Sequence, residues 1–235
     1  MGMSYLLKFY KEMPQRKPGE KTPAWAERLQ EGLNEYKKKV VARYTEGTLQ
    51  RLLQSDHART RRAAVLALGM TGTIKSNREV AKLLHDEDAR VRRLTVDALW
   101  MLWFRADKPA NNRELQRLMR LANDREEGDP EQALVGLNAL IKKTPRFAEA
   151  YNQRAILYFR SKQYDKAIAD CETVLKLNPY HFAAASGMAQ AYWKSNKPKA
   201  ALKAYRTAYH INPGMEDVSE AIRYLESVLG DEGKK

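Results

Sequence analysis

The stretch AEAYNQRAILYFRSKQYDKAIADCETVLKLNPYH, Ala148–His181, is followed at once by FAAASGMAQAYWKSNKPKAALKAYRTAYHINPGM, Phe182–Met215. Together they are one 34-residue unit written twice. Eight positions are identical at that offset: Ala150/Ala184, Ala155/Ala189, Tyr158/Tyr192, Ser161/Ser195, Ala167/Ala201, Thr173/Thr207, Asn178/Asn212 and Pro179/Pro213. A fixed period of this length marks stacked supersecondary units rather than a single closed core. Within each copy small and aromatic residues recur at helical intervals. The first has Tyr151, Ala155, Tyr158, then Ala167, Cys171, Val174; the second has Met188, Ala189, Tyr192, then Ala201, Tyr205, Ala208. Residues three and four apart share a helix face, so each copy predicts two amphipathic helices. The alanines let helices approach closely. Asn-Pro closes each pair, because proline lacks an N–H and biases the residue before it away from helix.

These positions resemble the tetratricopeptide repeat. The first copy supplies Tyr151, Ala155, Tyr158, Ala167, Val174 and Pro179 to the family's pattern, with Arg154 where an apolar residue is usual and Cys171 where an aromatic is usual. The second supplies Met188, Ala189, Tyr192, Ala201, Tyr205, Ala208 and Pro213, with Ala185 at the pattern's first place. A looser third copy precedes them, Glu114–Phe147, with Leu121, Ala133, Leu137, Leu140 and Pro145 in phase and Asp124 replacing an aromatic. The resemblance implies a concave groove lined by the first helix of each repeat. Asn152, Ile156, Phe159, Arg160, Ser186, Gln190, Trp193 and Lys194 fall on the positions that face it. Amides, aromatics and cations together suit an extended peptide with acidic character, anchored by Trp193 and Phe159. The family's carboxylate clamp for chaperone tails is not expected, since Ser186 and Gly187 stand where its cations belong.

A second rhythm runs upstream. Leu52–Met70 and Leu83–Met101 share ten identities at an offset of 31: Leu52/Leu83, Leu53/Leu84, Ala58/Ala89, Arg59/Arg90, Arg61/Arg92, Arg62/Arg93, Val65/Val96, Ala67/Ala98, Leu68/Leu99 and Met70/Met101. Each copy reads as a short helix, a turn and a longer helix, with Ser55 or Asp86 placed to cap the longer one. Leu84, Asp86, Asp88, Val91, Arg92, Ala98 and Leu99 resemble short HEAT repeats; the first copy is looser, with Leu53, Ser55, His57, Thr60, Arg61, Ala67 and Leu68. That resemblance implies that Arg61 and Arg92 pair with an aspartate of a neighbouring repeat. Arg59, Arg62, Arg90 and Arg93 are then the freer cations, candidates for gripping phosphates. No aromatics interleave them, which argues against stacking on single-stranded nucleic acid.

The expected organisation is an irregular segment over 1–22, a cap helix with two HEAT-like repeats over 23–109, three tetratricopeptide-like repeats over 110–215, and a closing helix with a tail over 216–235. Thr22-Pro23 opens the cap helix, which is expected to reach Tyr44. Lys108-Pro109 marks the changeover, with the two solenoids expected to stack and Trp100, Trp103 and Phe104 to pack their junction. Val218, Ile222, Leu225 and Leu229 form one apolar stripe suited to covering the last repeat, beyond which Gly230–Lys235 is expected to fray.

Composition fits this all-α solenoid. Net charge is +13, and residues 1–109 hold 22 of the 42 lysines and arginines against 13 of the 29 acids. This basic excess raises nucleic acid as an alternative partner to a protein or peptide. No apolar run is long enough to span a membrane. Met1–Glu20 does not read as a secretory signal, and Leu6 stands where myristoylation at Gly2 would need Ser or Thr. One cysteine excludes an internal disulfide and suits a reducing, cytoplasmic setting. The four histidines, His57, His85, His181 and His210, are scattered, and Gly69–Gly72 lacks the continuation of a phosphate loop. No catalytic residue, metal site or cofactor is expected. The function that follows is a non-enzymatic adaptor.

Overall fold

The computed structural model describes residues 5–124 and 126–232, and these contain helices and no strand. They fall into two compact units, Met1–Leu102 and Trp103–Lys235.

In the first unit α1 (Tyr5–Lys11) and α2 (Thr22–Val41) precede two helix pairs. The first pair is α3 (Glu46–Leu52) with α4 (Ala58–Thr71). The second is α5 (Asn77–Ala81), flanked by the 3-10 turns Ile74–Ser76 and Lys82–His85, with α6 (Ala89–Trp103). Residues 5–11, expected to be irregular, are therefore helical. Leu6 and Phe9, three apart, are buried together, and the Leu6 N–H donates to Tyr44 Oη at 2.9 Å. Helix α2 ends at Val41, short of Tyr44. Its cap position is Lys21 rather than Thr22, and no side chain caps it. Tyr36 fixes α2 to α4: the ring is buried and its hydroxyl donates to the Ala63 carbonyl at 2.7 Å.

The alanines of the 31-residue rhythm allow α4 and α6 to meet through their backbones. A Cβ on Gly69 would lie 2.9 Å from Ala98 Cα, closer than such atoms approach, so only glycine fits there. The cap of α6 is Asp88 and not Asp86. Asp88 Oδ1 accepts from the N–H groups of Arg90 and Val91 at 3.0 and 2.9 Å, whereas Asp86 accepts from the Asp88 N–H and from Arg61. In the first copy Ser55 Oγ accepts from the His57 N–H at 3.3 Å, and no side chain caps α4.

The second unit runs through α7 (Pro109–Asn123), α8 (Pro130–Lys143), α9 (Ala148–Arg160), α10 (Tyr164–Leu177), α11 (Phe182–Lys194), α12 (Pro198–Ile211) and α13 (Glu216–Glu232), each packed on the next. Leu115, Leu118, Leu137 and Leu157 form one apolar cluster, Ala167, Ile168 and Ala191 a second, and Ala185, Ala208 and Val218 a third. Ile222 packs on the third and Leu225 is buried, so the stripe on α13 covers the last pair as expected from its spacing. Gly230 is still helical; from 233 onward the tail expected to fray, like Gly2 at the other end, lies outside the described residues.

The connection inside each 34-residue unit repeats the same backbone turn. Lys162 and Asn196 both sit in the left-handed region, at φ 59° and 56°. Beyond them the N–H groups of Gln163 and Lys197 donate to the carbonyls of Tyr158 and Tyr192 at 2.8 and 2.9 Å. An L side chain is strained in that region by about 1–2 kcal/mol, whereas glycine is not but loses more backbone entropy on folding. Lys162→Gly is therefore expected to stabilise the second unit by up to about 1 kcal/mol, read as a higher midpoint of thermal unfolding. A lower midpoint would mean the turn is not strained.

Arg154, the residue out of pattern in the first copy, is explained by its partners. Its guanidinium holds Asp170 of α10 with two bonds of 2.8 and 2.6 Å, reaches Asn138 of α8 at 2.7 Å, and lies over the rings of Tyr151 and Tyr158. It ties three consecutive helices with polar contacts where an apolar residue would tie two. Cys171 is buried on the inward face, and burial pushes its thiol up to about 12. It is a packing residue rather than a nucleophile.

Candidate binding surfaces

In the second unit the first helices of successive pairs lie side by side. Helix α7 neighbours α9, α9 neighbours α11, and Trp193 of α11 meets Tyr224 of α13 edge-on at 5.9 Å. Ile156, Gln190 and Tyr224 are spaced by 34 and form one exposed rung on α9, α11 and α13; Ile156 is 37% and Tyr224 58% exposed. Arg160 crosses from α9 to α7, donating to Asn123 Oδ1 at 2.8 Å. It borders a hollow of about 160 Å³ together with Met119, Gln153 and Ile156. Lys194 is exposed at the end of α11, one residue beyond Trp193, itself 37% exposed.

Five of the eight residues expected on this face, Ile156, Arg160, Gln190, Trp193 and Lys194, present side chains to solvent. The other three are taken up by packing. Asn152 is buried and donates to Glu149 Oε1 at 2.9 Å; Ser186 is buried; Phe159 is half-buried against Tyr164, with ring centroids 5.5 Å apart. Tyr224 was not among the expected residues, although the 34-residue offset continued from Gln190 reaches it.

Behind this face lies a buried polar node. Glu149 and His181 side chains have no solvent exposure, and His181 Nε2 lies 2.9 Å from Glu149 Oε2. His181 Nδ1 accepts from the Ala184 N–H at 3.1 Å, which caps α11 and leaves Nε2 as the donor to the carboxylate. Gln153 Nε2 also donates to Glu149, at 2.6 Å. Trp103 stacks flat on the His181 ring at 4.1 Å and contacts Phe182. Of the aromatic residues expected to pack a junction, Trp103 is thus buried within the second unit. Phe104 joins the Leu115–Leu157 cluster of that unit, and Trp100 lines a cleft in the first.

The arginines of the first unit divide by chemistry. Arg61 pairs with Asp86 of the next repeat at 2.7 and 2.8 Å, as the HEAT resemblance implied. Arg92 instead donates to the Asp86 and Glu87 carbonyls of its own repeat, at 2.8 and 3.0 Å. Arg62, expected to be free for phosphate, is not: it forms a bidentate ion pair with Asp88, one bond at 3.0 Å. Arg59 and Arg90 are exposed and hold no ion pair among the described residues; Arg93 is exposed one turn before Asp97. Arg59 and Arg90 border a cleft of about 900 Å³ between the N-terminal arm, α2, α4 and α6, floored by Leu29, Leu66, Leu94 and Trp100.

The hydrogen bond from Arg62, with the N–H groups of Val91 and Arg90, pulls the Asp88 carboxyl down to about 2. A depressed carboxylate contributes stability that is complete above its unfolded value of about 3.9 and disappears as pH falls through the folded one. First-unit stability is therefore expected to decline between about pH 4 and 2, and Asp88→Asn to flatten that decline, measured by urea unfolding at each pH. An unchanged slope would remove Asp88 as its source.

Among the described residues no group of three His, Cys, Asp or Glu could hold a metal ion, and no helix is long and apolar enough to cross a membrane. Family models for HEAT repeats match residues 26–100 and 45–138, and models for the tetratricopeptide repeat match 148–181 and 186–215. The looser copy at 114–147 thus lies within the HEAT match as far as 138. A tetratricopeptide-repeat-containing protein of Rhizobium etli is 36% identical over 97 residues, 41% of this chain and 48% of that protein. Small glutamine-rich tetratricopeptide repeat-containing protein 2 of Saccharomyces cerevisiae is 30% identical over 95 residues, 40% of this chain and 27% of its own length. The chain thus spans about half of the first relative and about a quarter of the second. A solved structure, the first tetratricopeptide domain of Spaghetti bound to an HSP90 peptide, is similar at a TM-score of 0.46 and 22% identity, covering 50% of this chain and 94% of that one.

Proposed function

Because the chain carries HEAT repeats over 26–138 followed by tetratricopeptide repeats within 148–215, we propose that it is a non-enzymatic, cytoplasmic adaptor whose α7–α9–α11–α13 face holds an extended segment of a partner protein. The observation that carries this reading is the row of exposed, chemically mixed side chains on one side of successive helices. Trp193 and Tyr224 supply flat apolar area, Ile156 a second apolar contact, and Arg160 and Lys194 supply charge. A row of this kind suits a segment with apolar residues at intervals and carboxylates between them. The helices are fixed by their own cores before any partner arrives, so little ordering cost falls on the scaffold.

Nucleic acid is the weaker alternative. The arginine ladder that would grip phosphates is reduced by the Arg62–Asp88 pair and by the two backbone contacts of Arg92. Affinity capture with the full chain separates the two readings. Bound proteins are expected to survive nuclease and to be lost from the exposed-face variant Arg160→Glu/Trp193→Ala/Lys194→Glu. Loss on nuclease treatment, with retention by the variant, would overturn the groove reading.

A further inference from the structure

The cleft of the first unit shares no lining residue with the proposed peptide face, and its chemistry is ordered along its length. At one end stand Arg59 and Arg90, in the first turns of α4 and α6, and Lys11 at the end of α1; all three are exposed and without an ion pair among the described residues. Ten residues further along the same helices, roughly 15 Å at the helical rise, the wall is Gly69 and Trp100. Between the ends lie Leu66 and Leu94, faced by Leu29 of α2. Leu29, Leu66 and Leu94 are only partly buried among the described residues, so they offer an apolar strip along the cleft. Asp97 stands within the apolar part, the one carboxylate among the described residues that line the cleft.

We propose that this cleft is a second binding site, which takes an amphipathic helix of a partner protein whose apolar face lies on the leucine and tryptophan strip, with acidic residues over Arg59 and Arg90 and a cationic residue beside Asp97. Two features select this occupant, and two other occupants fit the cleft less well. The strip is as long as about ten helical residues, three turns, which is the reach of a helix anchored at every third or fourth residue. The cleft is basic at one end and carries a carboxylate, Asp97, seven residues beyond Arg90 on α6 with Arg93 one turn before it, and a helix with acids in its first turn and a base further on is the arrangement its own dipole favours. A fatty acid would satisfy the arginines but would lay methylene groups against the Asp97 carboxylate, which has no counter-charge to gain from them. Duplex nucleic acid would meet the arginines and leave the apolar strip unused.

The test uses the full chain and a labelled synthetic helix-forming peptide with leucines on one face, glutamates in its first turn and a lysine in its last. A control peptide has the same composition with the charges exchanged. Fluorescence anisotropy is expected to show the first peptide binding about tenfold tighter or more, equivalent to about 1.4 kcal/mol. In Arg59→Glu/Arg90→Glu, changed only at exposed positions and checked for an unaltered melting curve, the preference is expected to invert. Equal affinity for the two peptides, or no inversion, would overturn the proposal. So would displacement by dodecanoate or by duplex DNA at concentrations below those of the unlabelled peptide. Neither substitution touches α9, α11 or α13, so failure here is distinguishable from failure of the peptide face.

Discussion

Replacing Arg61 with methionine is expected to destabilise the first unit by about 3–5 kcal/mol, the range for breaking a buried ion pair from one side. The Arg61 and Asp86 side chains are 9% and 7% exposed. The guanidinium also donates to the carbonyls of Ser55 and Asp56 at 2.9 and 3.2 Å, so one side chain closes its own repeat and grips the next. Its bonds to Asp86 hold it firmly in the charged form. Methionine fills similar volume but leaves the Asp86 carboxylate without its counter-ion and two carbonyls without a donor. Removing both charges, as Arg61→Met/Asp86→Leu, is expected to recover most of the loss, because a well-packed apolar pair often matches a buried ionic one. Urea unfolding of the wild type, both single variants and the double variant gives the coupling directly. Single losses that simply add in the double variant would mean that the pair does not join the repeats.

His181→Ala is expected to destabilise the second unit by about 2–5 kcal/mol, the sum of a buried hydrogen bond to a charged group and a helix cap. Three contacts vanish together: the bond to a Glu149 carboxylate with no solvent exposure, the cap on the Ala184 N–H, and the stack against Trp103. The dominant loss is the Nε2–H donated to that carboxylate, since Asn152 and Gln153 alone must then satisfy Glu149. If so, adding Glu149→Gln to His181→Ala restores part of the stability, because the amide keeps an acceptor for those donors without the charge. Should the second substitution make matters worse, the cap and the stack would be the larger contributions.

Much of this was legible in the sequence because close helix packing leaves a periodic trace. The alanines and leucines at offsets of 31 and 34 are visible wherever two like surfaces must meet, and Val218, Ile222 and Leu225 announce a helix that closes the stack. What stayed hidden depends on partners far along the chain. Helix α1 has only Leu6 and Phe9 to bury, too short a pattern to separate from a loop. Arg62 looked free because Asp88, 26 residues away, gives no sign of facing it. Asn152 and Ser186 carry groove positions in the repeat pattern, yet Glu149, unique to one copy, turns Asn152 inward. Exposure of a side chain is set by its neighbours, and a pattern that specifies backbone stacking does not specify those.

The α7–α9–α11–α13 face is proposed to read peptide. Selection from a randomised peptide library displayed on phage, with the full chain as bait, is the decisive experiment. Enriched sequences are expected to combine acidic residues with aromatic or aliphatic ones, and their capture to be lost when Arg160→Glu, Trp193→Ala and Lys194→Glu are combined in a chain that melts like the wild type. Enriched peptides held equally well by that variant would contradict it.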